Sequence, residues 1–253
     1  MAHKPGITIK DDREIRIMRE AGRIVATVLT EIGQRIRSGV TTEAMDSLAY
    51  KTIANMDAKP SFLNYRGYPA TICISVNEQV VHGIPGPRAL QEGDIVSVDV
   101  GAIYQGYHGD AARTFLVGEV APETRLLVER TQACYQAGCA QAFPGNRIGD
   151  ISHAVQTLAE SFGYGVVREL IGHGVGQAMH EEPDVPNFGL PGRGPLLQAG
   201  MVIAIEPMIN LGTHRVHTLE DAWTVVTSDG KPSAHYENTV YISPDGPVEL
   251  TVL

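Results

Sequence analysis

Residues 94–118 have the sequence DIVSVDVGAIYQGYHGDAARTFLVG, in which two strand-like runs flank the tetrapeptide YQGY. Such runs on either side of a short turn predict an antiparallel hairpin. Asp99 and Asp110 are equally far from a turn placed at Tyr104–Gln105. They are therefore expected to lie opposite each other with adjacent Cβ atoms. Two carboxylates this close would raise each other's pKa unless a metal neutralised them, so the hairpin predicts a metal site.

Helices and strands follow each other in the same order before and after residue 120. Apolar residues at helical spacing predict four helices, over residues 15–36, 42–56, 122–143 and 149–162. Strand-like runs follow each helix pair, the later ones being GYGVVREL, MVIAIEPMI, AWTVVTS and YENTVYIS. This α+β pattern predicts one catalytic domain over residues 1–253, built from two duplicated helix–helix–strand halves of about 10–120 and 121–253, with a site between them. The alternative is that an α+β domain of this length shows such an alternation by chance.

Three acidic residues stand in or beside apolar, strand-like runs: Asp99 in IVSVDVG, Glu206 in MVIAIEPMI and Glu237 before NTVYI. A carboxylate buried in a strand is costly unless it has a cation or hydrogen bonds. A salt bridge is one solution, but Arg113 is the only base in the hairpin. Several buried acids without matching bases favour a divalent metal.

Histidines for such a site are offered by the glycine-rich segment HGVGQAMH, which contains His173 and His180. Glycines allow the backbone to approach a site closely. One imidazole combined with four carboxylates suits Mn, Fe, Co or Zn in a hydrolytic centre. We interpret His3, His153 and His214 as structural or exposed.

Composition narrows the functional classes. A formal net charge of -9 without a strong basic patch argues against direct nucleic-acid recognition. No apolar run has the length of a membrane span, and the N-terminal MAHKPGITIKDD has no signal-peptide core. Three cysteines cannot all pair, so free thiols and a cytoplasmic location are expected.

Five motifs resemble those of type I methionine aminopeptidases in order and spacing, from about residue 10 to the end: VNEQVVHGIPG, VDVGAIYQGYHGDAARTF, GHGVGQAMHEEP, IEPM and YENTV. The resemblance is to the short bacterial form. It implies the pita-bread fold, a pseudo-symmetric α/β sandwich. It also implies a metal-dependent hydrolase that removes the initiator methionine from new proteins when the second residue is small.

The resemblance implies two divalent metal ions, Co, Mn, Fe or Zn. One is expected to be bound by Asp110, His173, Glu206 and Glu237, and the other by Asp99, Asp110 and Glu237. Two adjacent metals lower the pKa of a bridging water and supply hydroxide at neutral pH. Glu206 is the expected acceptor of a proton from that water.

The resemblance also implies substrate contacts. His82 matches a histidine that contacts the substrate amide, and His180 matches one that stabilises the scissile carbonyl. Arg66 stands where close relatives are expected to have histidine, which affects only the pocket rim. The methionine pocket is expected to be lined by Tyr65, Tyr68, Cys73, Met179 and Trp223. Relatives often have an aromatic residue at the position of Met179.

The expected partners are peptides with N-terminal methionine and nascent chains, with the ribosome as a candidate and the enzyme itself a monomer. The chain begins Met-Ala, so it is expected to process its own N-terminus. Three other functions share part of the pattern. An Xaa-Pro aminopeptidase or prolidase is expected to need a further N-terminal domain. A non-catalytic pita-bread module is expected to lack metal ligands. A dinuclear phosphoesterase is expected to share only the ligand chemistry.

Overall fold

The computed structural model describes residues 6–253, and the expected cleavage after Met1 lies outside them. Four helices, α1 to α4, cover Asp12–Gly33, Thr42–Asn55, Pro122–Cys139 and Ile148–Ser161. The strands before the second helix pair, β1 to β5, are Lys59–Pro60, Cys73–Val76, Gln79–Val81, Ile95–Tyr104 and Tyr107–Leu116. The strands after it, β6 to β15, are Gly165–Val166, Gly172–Gly174, Glu181–Val185, Val202–Ile205, Met208–Asn210, Val216–Thr218, Val225–Thr227, Ser233–His235, Asn238–Ser243 and Gly246–Glu249.

Helix α1 begins where the sequence supplies both halves of a capping box. The Asp11 carboxylate accepts the backbone N–H groups of Arg13 and Glu14, and the Glu14 side chain accepts the Asp11 N–H at 2.8 Å. The helix ends at Gly33, before the predicted Ile36. Apolar spacing overestimates its length because the periodicity continues through the irregular turn that follows.

Strands β4 and β5 form the predicted hairpin and pair without interruption from Ile95↔Leu116 to Tyr104↔Tyr107. The two residues between them, Gln105 and Gly106, have φ values of 47° and 85°. Positive φ at both positions is the geometry of the two-residue turns whose twist matches an antiparallel ribbon. The turn is therefore centred one residue later than the sequence predicted.

This turn position makes the predicted pairing of the two aspartates wrong. Asp99 faces Ala112, and Asp110 faces Gly101. Moving the centre of a turn by one residue shifts the pairing by two, and side chains alternate with a period of two. Asp99 and Asp110 consequently remain on the same face as diagonal neighbours. They are therefore still close together, although the predicted register is wrong.

Each helix pair packs on its own group of strands. Helices α1 and α2 share a hydrophobic core with β2 and β4, and β4 pairs with β1, β2 and β5. Helices α3 and α4 share a second core with β6, β10 and β13. The remaining strands form a five-stranded sheet in the order β15-β14-β9-β7-β8 and a three-stranded sheet in the order β11-β12-β3. Within residues 6–253, no helix is long and apolar enough to cross a membrane.

Two acidic residues of the predicted site lie where one strand ends and the next begins, and one of them breaks the predicted strand MVIAIEPMI. MVIAIEPMI divides into β9 and β10 at Glu206–Pro207, and Glu237 separates β13 from β14. Proline cannot donate to a strand ladder, so the strand ends before it. Because β9 pairs with β14 and β10 pairs with β13, both segments pass from one sheet to another at the same level. Glu206 and Glu237 therefore lie at one junction between sheets.

Candidate metal centre

The predicted metal ligands converge from five places in the fold. Asp99 is on β4, Asp110 on β5 and His173 on β7, while Glu206 and Glu237 lie at the junction between sheets. Potential ligand atoms lie within 4.8 Å of one another in two groups, Asp110–His173–Glu237 and Asp99–His235–Glu237. Glu237 belongs to both groups, so the arrangement fits two adjacent cation sites that share this carboxylate.

The four carboxylates are in an environment that opposes their charge. Burial, followed by the charges of neighbouring acids, raises the pKa of Asp99, Glu206 and Glu237 well above the usual range. Burial also raises the pKa of Asp110, to about 7. Asp99 Oδ1, Asp110 Oδ1 and Glu237 Oε1 are buried without a hydrogen-bond partner. Unpaired, acceptor-only oxygens at this depth fit divalent cations.

The alternative of buried salt bridges does not describe this site. Arg113 Nη1 donates to the backbone carbonyl of Glu237, and Arg113 Nη2 donates to Asn238 Oδ1 at 2.7 Å. Its guanidinium also lies 4.2 Å from the centre of the Tyr236 ring. Arg113 thus fixes the backbone at Glu237, and across residues 6–253 no lysine or arginine forms an ion pair with the four acids.

His173 is oriented by the chain itself. Its Nδ1–H donates to the carbonyl of Gly174 at 2.9 Å, which leaves Nε2 as the free acceptor. Nε2 lies 3.8 Å from Asp110 Oδ2 and 3.6 Å from Glu206 Oε1. Burial lowers the pKa of His173, so the imidazole is neutral and its lone pair is directed at the carboxylates.

One cavity contains all the residues that the sequence predicted for the site. It is lined by the five predicted metal ligands, Asp99, Asp110, His173, Glu206 and Glu237, and by the predicted substrate-binding residues, Tyr65, Tyr68, Cys73, His82, Met179, His180 and Trp223. Phe62 and Arg66 complete the lining. The predicted ligands and the predicted pocket are therefore parts of one continuous site.

The apolar wall of the cavity is held in place by hydrogen bonds outside it. The Tyr68 hydroxyl bonds to the carbonyls of Ile72 and Gly83, at 3.1 and 2.9 Å. The Trp223 ring meets Tyr68 edge-on, with ring centres 5.1 Å apart. Asp221 accepts the Trp223 backbone N–H at 2.9 Å and so fixes the loop that carries the indole.

Two histidines face the cavity. Tyr65 Oη lies 2.8 Å from His180 Nδ1, and the two rings are stacked. His82 has a left-handed backbone conformation, with φ of 59°, which is uncommon for a residue with a side chain and often marks functional sites. Burial lowers the pKa of His82, so it is neutral near pH 7. Arg66 is exposed at the rim, with its guanidinium 5.4 Å from the Tyr65 ring centre.

Sequence reasoning missed Phe62 and His235. Phe62 is only 4% exposed and packs in the same apolar cluster as Tyr68, Cys73 and Met179. His235 precedes Glu237 by two residues, and a spacing of two places side chains on one face of a strand. That spacing is the available signal, but the predicted strand-like run YENTVYIS begins at Tyr236 and leaves His235 outside it.

Comparison with known proteins identifies the class. Residues 16–244 match metallopeptidase family M24. A methionine aminopeptidase of Clostridium perfringens is 51% identical over 98% of this chain and 99% of its own length. The crystal structure of a Thermotoga maritima methionine aminopeptidase superposes with a TM-score of 0.97, at 44% identity, over 98% of this chain and all of that one.

A more distant likeness concerns the fold alone. A prolidase from Pyrococcus furiosus has a TM-score of 0.80 at 24% identity, and this chain spans 65% of its length. The fold and site define a metallopeptidase with the predicted pita-bread architecture. This chain belongs to metallopeptidase family M24 and, within it, to the methionine aminopeptidases. These are dinuclear enzymes that use divalent metals, as the resemblance implied.

Proposed function

We propose that this protein removes the N-terminal methionine from polypeptides whose second residue is small. The observation that carries the proposal is that four carboxylates and His173 line the same cavity as the aromatic and sulfur-containing side chains of Phe62, Tyr65, Tyr68, Cys73, Met179 and Trp223. Metal ligands supply hydrolytic chemistry, while a cavity lined by aromatic and sulfur-containing residues suits a thioether side chain. The joint presence of both features in one site favours a methionine-specific peptidase.

In this proposal Asp110, His173, Glu206 and Glu237 hold one metal ion, and Asp99, Asp110 and Glu237 hold the other. The orphaned oxygens of Asp99, Asp110 and Glu237 support this assignment. When bound, two metals activate water as a nucleophile and polarise the scissile carbonyl. The chain contributes Glu206 as the acceptor of the water proton, since its carboxylate lies beside His173 at the junction between sheets.

The remaining residues bind and orient the substrate. His180 donates a hydrogen bond to the scissile carbonyl as negative charge develops on its oxygen. A Tyr65 hydroxyl that donates to His180 Nδ1 leaves the proton on Nε2, which is the tautomer this role requires. His82 contacts the substrate amide. The methionine side chain packs among Tyr65, Tyr68, Cys73, Met179 and Trp223.

We further propose that residues 1–253 act as one catalytic domain with halves of about 10–120 and 121–253. The protein is proposed to be a cytoplasmic monomer that meets nascent chains at the ribosome. Its cysteines, Cys73, Cys134 and Cys139, are all free, which supports a reducing compartment.

A metal-titrated cleavage assay tests the proposed function. Metal-free protein is titrated with Co²⁺ or Mn²⁺ and given Met-Ala-Ser, Met-Leu-Ser and Ala-Pro peptides. We expect activity to rise with metal and to favour Met-Ala-Ser. Asp99→Ala should lose activity, whereas Asp245→Ala, at an exposed position, should retain it. Preference for the Ala-Pro peptide would instead indicate an Xaa-Pro peptidase.

A further inference from the structure

His235 is a buried histidine that the assigned ligand set does not use. It is the last residue of β13 and is 2% exposed. Neither Nδ1 nor Nε2 has a hydrogen-bond partner. A neutral imidazole has one donor and one acceptor, so both tautomers leave two polar atoms unsatisfied at this depth. A side chain buried at that cost needs a partner that the chain does not provide.

The surroundings of His235 show what that partner is. Its Nε2 lies 3.7 Å from Glu206 Oε2 and 3.8 Å from Glu237 Oε2. It also groups with ligand atoms of Asp99 and Glu237 that are all within 4.8 Å of one another. These distances exceed those of hydrogen bonds. Two donors bound to one ion at about 2.1 Å are separated by up to about 4.2 Å, so the spacing is that of ligands around a cation.

His235 is as well placed to bind a metal as His173, judged by the distances from Nε2 to the nearest carboxylate oxygens. His173 Nε2 lies 3.8 and 3.6 Å from its two carboxylate oxygens, and His235 Nε2 lies 3.7 and 3.8 Å from its own. Glu206 stands between the two rings, with Oε1 towards His173 and Oε2 towards His235. Each imidazole thus faces one side of the same carboxylate cluster.

We infer that His235 Nε2 is a ligand of the metal ion held by Asp99, so that each of the two ions has one imidazole. This inference rests on the proposed dinuclear site. It adds a nitrogen donor to an ion otherwise bound only by carboxylates. Imidazole suits Fe, Co and Zn better than Mg or Ca, so His235 biases the Asp99 ion towards transition metals.

Cobalt substitution tests this inference without an activity readout. Each imidazole bound to paramagnetic Co²⁺ gives a strongly shifted N–H proton resonance that disappears in D2O. We expect two such resonances in wild-type protein loaded with two cobalt ions. His173→Gln should remove one and His235→Gln the other, while exposed His153→Gln should leave both. In calorimetric titrations, His235→Gln should weaken one of the two sites by about 10- to 100-fold.

A single shifted N–H resonance in wild-type protein that holds two cobalt ions overturns the inference, and this count does not depend on any variant folding. Two metal sites of unchanged affinity in His235→Gln also overturn it. The proposed function fails separately: wild-type protein with two imidazole resonances that does not cleave Met-Ala-Ser retains the inferred ligand and loses the assigned activity.

Discussion

The hydroxyl of Thr239 is hydrogen-bonded to both backbone groups of Asp110. It donates to the Asp110 carbonyl at 2.8 Å and accepts the Asp110 N–H at 3.0 Å. Thr239 lies on β14 and Asp110 on β5, so this pair joins the hairpin to the five-stranded sheet. One threonine therefore sets the position of a carboxylate shared by both proposed metal sites.

Replacing Thr239 with valine should destabilise the protein and weaken metal binding. The substitution keeps the shape of the side chain but leaves a buried N–H and a buried C=O unpaired. We expect the free energy of unfolding to fall by about 2–4 kcal/mol. Thr239→Ser keeps the hydroxyl and should cost about 1 kcal/mol through its lost methyl group. Denaturant unfolding and metal titration of both variants measure the difference, and equal losses would show that the hydroxyl is unimportant.

Tyr65→Phe tests whether the 2.8 Å contact with His180 Nδ1 controls catalysis. Removing the hydroxyl means that the tautomer and orientation of the His180 imidazole are no longer fixed by a hydrogen bond. The aromatic ring at position 65 stays stacked on that imidazole. We expect kcat for Met-Ala-Ser to fall about tenfold, equivalent to ~1.4 kcal/mol, with little change in KM. Tyr50→Phe, at a site 50% exposed, is the matched control. A larger effect on KM than on kcat would assign Tyr65 to substrate binding alone.

Sequence alone identifies site residues where a charged side chain stands in or beside an otherwise apolar run. Asp99, Glu206 and Glu237 were recognised because carboxylates are costly among apolar residues. The structure brings them into one cavity with His173. The class of fold followed from the repeated order of helices and strands, together with the family motifs.

The sequence could not give the geometry that brings these residues together. The register that places Asp99 opposite Ala112 depends on a turn at Gln105–Gly106, and moving that turn by one residue keeps the same apolar pattern. The crossing at Glu206–Pro207 depends on which strands pair in which sheet, and those contacts are distant in sequence. His235 was missed because the predicted run YENTVYIS begins one residue after it, and because its other neighbours at the site, Asp99 and Glu206, are distant in sequence.

The metal-free protein should lose stability as the pH rises above 7.5. Asp99, Glu206 and Glu237 have pKa values well above the usual range in the folded chain, mainly because they are buried. Acids with a raised folded pKa contribute stability that is lost as the pH rises through that pKa. Below pH 7 the buried histidines act in the opposite direction, because burial lowers their pKa, as for His235 at about 3. Above pH 7.5 they are neutral in both states, and the acids decide the trend.

Denaturant midpoints of the metal-free and metal-loaded proteins at pH 7.5 and pH 9 check this trend. Bound metal stabilises the ionised carboxylates and should remove their part of the decline. Cys134 and Cys139 do not line the cavity and should ionise alike in both forms, whereas burial and the charges of Asp99 and Asp110 raise the pKa of Cys73. Both forms are therefore compared in a Cys73→Ser background, so that the difference between the two slopes isolates the acids. Parallel slopes would contradict the assignment of these carboxylates to the metals.

Trp223 should report directly on occupation of the proposed methionine pocket. It is the only tryptophan in the chain and lines the cavity beside Tyr68. A methionine side chain that displaces water from the indole should shift its emission to shorter wavelength. Titration with L-methionine measures the shift, and L-aspartate, which has the same backbone groups, is the control ligand. Trp223→Leu should raise KM for Met-Ala-Ser roughly tenfold, about 1.4 kcal/mol, because the aromatic contact with sulfur is lost. An emission shift of equal size with both ligands would mean that Trp223 senses the ligand backbone, and the thioether would then have to bind elsewhere in the cavity.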